Sequence, residues 1–241
     1  GSLSDSEADS LYEDDQALTD FIRQYGPAAA LGVLYQNQDR LAIDCHQRAH
    51  ELGRLAYEQF GAQAFSLSGH ECQSGSYHGT TEAFFRDYGT ADMRHNISLI
   101  CTDSLNAFFE HQCIHGVGHG IMAWTNYAML DALRSCDELG KEANRLSCYS
   151  GVFMENVVGG LSGSMGHFTK YLSEDPHYPC NILEERYVGP CYFYQTSRMV
   201  QLFAGDFQKV AEACDSAPQA KQYLCFQSMG RDVGGYFRGN I

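Results

Sequence analysis

Ten cysteines at near-regular intervals constrain this chain more than any other feature, because five crosslinks leave few folds open to it. Cys101 and Cys113 stand 12 residues apart, Cys136 and Cys148 also 12, Cys180 and Cys191 11, and Cys214 and Cys225 11. The even count and the recurring separation predict four local disulfides, leaving Cys45 and Cys72, 27 apart, to pair with each other. No C-x-x-C occurs, so zinc ribbons, thioredoxin-type redox motifs and c-type haem attachment are unsupported. Full pairing implies an oxidising, extracytoplasmic compartment (secreted, periplasmic or cell-surface) and argues against a thiol nucleophile.

The second cysteine of each local pair falls at 113, 148, 191 and 225, in steps of 35, 43 and 34 that match the period of a two-helix repeat. Apolar spacing agrees. Helices are expected over 16–24, 28–35, 41–60, 126–136, 141–158 and 206–214, with Asp137-Glu138-Leu139-Gly140 as a turn. The stretches 159–166, rich in glycine and serine, and 173–179, with Pro176 and Pro179, read as loops. No window alternates as a strand would. The expected fold is all-α: an array of disulfide-stapled αα-hairpin repeats, wound as a curved solenoid or closed toroid, in a single domain over residues 16–241. Residues 1–15 are acidic and poor in apolar side chains, which predicts a disordered segment. Gly1-Ser2 reads as a tag remnant.

A formal net charge of −14 excludes nucleic acid and anionic membrane surfaces as natural partners and is accounted for by solubility. No apolar run approaches the ~20 residues of a membrane-spanning helix, and no calcium loop, P-loop, Rossmann fingerprint, G-x-S-x-G or H-E-x-x-H is found. The sequon Asn96-Ile97-Ser98 fits a surface glycosylation site.

The histidines carry the chemistry. In Gln112–Asn126 (QCIHGVGHGIMAWTN), His115 and His119 stand at i and i+4. At about 100° per residue they lie about 200° and 240° round the helix from Cys113, away from the staple. His46 and His50 repeat the i,i+4 spacing after Cys45, and His78 follows Cys72 by six residues, as His119 follows Cys113. Two imidazoles one helical turn apart can reach one ion. Equivalent positions of neighbouring repeats line one face, so His46, His50, His78, His115 and His119 are the candidate metal ligands. Glu82, one turn after His78, and Glu155, beside Met154 at the matching offset, are candidates for a further ligand or a general base. Imidazole-rich donors suit transition ions, zinc or copper first and iron next, rather than magnesium or calcium. Most lone helical histidines are packing or surface residues, and His95, His111, His167 and His177 belong there. Gly116, Gly118 and Gly120 each cost about 1 kcal/mol in a helix, which close approach of a second helix would offset.

Two functions follow from these features. The first is an extracytoplasmic metal-binding helical-repeat protein whose ion, given an open coordination position, makes it a metalloenzyme acting on a small molecule or peptide. The second is a non-catalytic scaffold binding a peptide, glycan or partner protein on its concave face, lined from the chain's 15 tyrosines and 14 phenylalanines. Clustered imidazoles also suit a pH-responsive interaction surface.

Overall fold

The structure, a computed structural model, describes residues 4–41, 45–69, 71–72, 75–101, 107–159 and 169–237. The described residues are mainly helical, joined by turns and loops, and contain no strand. All five expected disulfides form, with Cα–Cα distances of 5.4 to 5.7 Å. The chain falls into two compact units, Gly1–Trp124 and Thr125–Ile241.

The first unit holds α1 (Asp5–Glu13), α2 (Asp15–Tyr25), α3 (Pro27–Leu41), α4 (Cys45–Phe60), α5 (Ala64–Leu67), α6 (Gly75–Tyr88), α7 (Met93–Cys101) and α8 (Ala107–Trp124). Residues 5–13 are a helix, where the acidic composition predicted disorder. Ser4 and Glu7 close a capping box at its start. Ala8 and Leu11 are buried, the Tyr12 hydroxyl donates to the Leu34 carbonyl, and Arg48 Nε donates to the Leu11 carbonyl at 2.8 Å. Two buried side chains and two ties to later helices offset the charge. Gly26, at φ 86° between α2 and α3, supplies the left-handed turn that Pro27 then follows as the first residue of α3. The expected helix 41–60 starts at Cys45, and residues 42–44 lie outside the described set.

The packing of α4 on α6, and of α6 on α8, is set by glycines. A methyl group at Gly79 would stand 1.8 Å from the His50 carbonyl oxygen, one at Gly53 2.1 Å from that of Ser76, and one at Gly120 2.3 Å from Thr81 Cγ2. Only hydrogen fits there, so the three helices approach more closely than side chains would allow. Gly116 differs, since a methyl there meets Tyr77 Cβ at an ordinary 3.5 Å. Phe84, Phe85, Leu52, Ile114 and Ile121 fill the core beside these contacts.

The second unit holds α9 (Met129–Asp137), α10 (Glu142–Met154), a π-helical turn (Glu155–Gly159), α11 (Glu185–Leu202), α12 (Phe207–Ser216) and α13 (Gln222–Phe237). Here α10 packs on α9 and α11, and α13 on α11 and α12. Cys136 and Cys148 staple α9 to α10, and Cys214 and Cys225 staple α12 to α13; Cys180, by contrast, sits in a 3₁₀ turn before Cys191 of α11. The loop expected over 173–179 is present, whereas 160–166 of the other expected loop lies outside the described residues. Asn96 is buried in α7 with its amide donating to the Ala91 carbonyl at 2.7 Å, so the sequon is a packing residue and not the surface site expected.

Candidate metal centre

The close approach of α4 and α6 brings His46 and His50, one turn apart on α4, against His78 on α6. Their ring nitrogens lie within 4.8 Å of one another. His46 Nε2 is 3.2 Å from His50 Nε2, and His78 Nδ1 is 3.2 Å from His50 Nε2. The three rings meet edge to face, with centroids 4.8, 5.0 and 5.3 Å apart and interplanar angles of 71° to 78°. His50 and His78 are almost fully buried.

Neighbouring groups fix the orientation of two of these imidazoles. His46 Nδ1 lies 2.8 Å from the Cys72 carbonyl oxygen, which can only accept, so this nitrogen carries the hydrogen. His50 Nδ1 lies 2.9 Å from Glu82 Oε1 and donates to it. Burial pushes the Glu82 carboxyl up, but the hydrogen bond and charge of His50, together with Arg54, outweigh it and hold the group below its ordinary value. Arg54 Nη1 donates to Glu82 Oε2 at 2.7 Å and its Nη2 to Glu51 Oε2 at 2.5 Å. Burial, and then the nearby His119, His50, His46 and His115, push His78 well below the ordinary imidazole value, which keeps it neutral.

In their neutral forms His46 and His50 thus turn the lone pairs of both Nε2 atoms into one 3.2 Å gap, with His78 Nδ1 beside them. Two acceptors facing each other repel unless a cation sits between them. A proton bridges one pair of nitrogens at a time, whereas a metal ion takes all three. At ligand distances of about 2.0–2.1 Å, a tetrahedral ion separates its nitrogen donors by about 3.3 Å. The two 3.2 Å separations to His50 Nε2 match that bite, and the third pair lies within 4.8 Å.

His115 and His119, on α8, come next to this trio. Their Nε2 atoms are 3.0 Å apart, and His119 stacks on His78 with centroids 3.8 Å apart and planes inclined by 20°. The five sequence-expected histidines therefore all reach one region of the first unit, in a group of three and a pair. Glu82 arrives as the partner of His50 Nδ1. Glu155 lies in the second unit, buried in the π-helical turn after α10, a geometry frequent at functional sites. His70 and His167 lie outside the described residues. His177 is tied to the Tyr192 hydroxyl at 3.1 Å and Ser216 Oγ at 2.9 Å, the structural role expected of it.

Arg54, Glu51 and the Cys72 carbonyl were not foreseen. Arg54, one turn after His50, carries a faint signal as a cation on the same helical face; a backbone carbonyl carries none. Comparison of the chain with protein-family models, with characterised proteins and with solved structures gives no match.

Proposed function

We propose that this chain is an extracytoplasmic protein that binds a transition-metal ion through His46 Nε2, His50 Nε2 and His78 Nδ1. The observation that carries the reading is the convergence of three ring nitrogens at ligand spacing, two of them oriented by hydrogen bonds to Cys72 and Glu82. A carboxylate behind a ligating histidine fixes its tautomer and raises its basicity. Glu82 therefore serves as a positioning residue. All-imidazole donation favours zinc or copper, with iron next. Three protein ligands leave a fourth position for water or substrate, the arrangement of catalytic rather than structural zinc sites, and so the reading includes a metalloenzyme. Glu155 stays a candidate further ligand or base. Five disulfides support the extracytoplasmic assignment. No helix among the described residues is long and apolar enough to cross a membrane. We read the stapled helix pairs as repeats of one hairpin.

Elemental analysis of protein purified without chelator or His-tag tests the function. Stoichiometric zinc, copper or iron is expected, and His50→Ala should remove it while the disulfide-stapled fold persists. Protein free of metal, and unable to take any up, would leave the scaffold reading in its place.

A further inference from the structure

The geometry points to a second transition-metal ion beside the first, held by His115 and His119, so that the cluster is a two-metal centre. This inference rests on the metal-binding reading above and extends it. Imidazoles that share one ion must converge on it with their lone pairs, which lie in the ring planes. The rings of such a set are therefore splayed, as His46, His50 and His78 are, at 71° to 78°. His115 and His119 have the same relation to each other: centroids 4.8 Å apart, planes at 68°, and Nε2 atoms 3.0 Å apart, close to the bite of a single ion.

His78 and His119 do not have it. They are stacked at 3.8 Å and inclined by only 20°. Two rings lying nearly parallel direct their in-plane lone pairs along separate layers, so one ion shared by both would lie out of the plane of at least one ring. If His78 serves the ion of the α4–α6 group, then His119 serves another, one ring layer away. That places two ions on the order of 4 Å apart, the spacing of two-metal sites in which both ions act on a single bridging ligand. The fold supports the arrangement directly. Gly120, a single residue past His119, packs its Cα against Thr81 and brings α8 onto α6 where the rings stack. The ligand class is a pair of divalent first-row ions held by neutral imidazoles, with open positions between them for a small bridging group.

The test is a metal count. Metal-free, tag-free protein is titrated with Cu(II) and, separately, with Zn(II), alongside the variants His115→Ala and His115→Gln, whose folding is checked by circular dichroism. Two ions per chain are expected for the parent protein and one for either variant. With copper, the parent's electron paramagnetic signal should integrate to well under one spin per ion, since ions this close couple magnetically. A single ion in the parent, undiminished by either substitution, would overturn the second site and leave the first intact. No ion at all would overturn both. Should His115→Ala unfold, the glutamine variant and the parent's own stoichiometry and spin count still decide the matter.

Discussion

Glu82 touches the centre through His50 and not from within it: its carboxylate accepts from Nδ1 at 2.9 Å and is held from behind by Arg54. Glu82→Gln keeps an acceptor but removes the charge that sustains the His50 tautomer. The expected result is a fall in metal affinity of about 10–100-fold at unchanged stoichiometry, measured by calorimetric titration. Complete loss of the ion would make Glu82 a ligand instead. A second prediction concerns the other unit, where the hydroxyls of Tyr149 and Tyr187 both donate to Asp137. Burial, and then the Asp137 hydrogen bond and charge, push Tyr187 up to about 12. Because the folded value is raised, the stabilisation is full below the ordinary tyrosine range near 10 and is lost as pH rises through about 12. Ultraviolet titration of phenolate should show this late ionisation, and Asp137→Asn should bring it part of the way back, since burial remains. At this scale the histidines were legible, because two i,i+4 pairs and a matching offset from cysteine mark them. Their partners were legible only in part: Glu82 is marked by its place one turn after His78, but its pairing with His50, 32 residues away, is not, and the Cys72 carbonyl has no sequence signature.

Helix against helix, the centre depends on glycines that admit no side chain. Gly79→Ala would drive a methyl to 1.8 Å from the His50 carbonyl oxygen, which only a shift of α4 from α6 can relieve. A loss of about 3 kcal/mol is expected, at the upper end for overpacking, together with loss of metal, because His50 moves with that carbonyl. Gly116→Ala is the contrast. Its methyl meets Tyr77 at 3.5 Å, and alanine gains up to about 1 kcal/mol of helix propensity. Denaturant unfolding should rank the two in opposite directions; equal destabilisation would refute the packing account. Crowding was legible as a class from the glycine-rich stretch around His115 and His119. Its assignment to Gly120 but not Gly116 was not, since that depends on where α6 lies. At the corresponding offsets of α11 and α13 the histidines are replaced by Ser197 and Arg231, and these bond with Thr196, Ser228 and Asp232 into a closed polar network. Matched offsets thus bring imidazoles together in one unit and form hydrogen bonds in the other.

Over the whole molecule, the disulfides were the most legible feature, for loop length alone selects local partners and the remaining two cysteines follow. Replacing Cys136 and Cys148 together by serine opens a loop of 12 residues and should lower the stability of the second unit by about 3 kcal/mol, read from its unfolding midpoint. Composition masks helix α1, although a local signal for it is present. Ser4-x-x-Glu7 is a capping box, and Ala8 and Leu11 fall one turn apart to be buried together. Metal binding requires deprotonated imidazoles, so affinity should fall, and binding should release protons, as pH drops through the histidine range. The central claim, that imidazoles of α4 and α6 hold a transition ion, is tested most directly by X-ray absorption at the edge of the metal carried by the purified protein. A first shell of nitrogen at about 2.0–2.1 Å with the outer-shell scattering of imidazole rings is expected, lost in His50→Ala. A shell without imidazole scattering, or one unchanged in that variant, would contradict it.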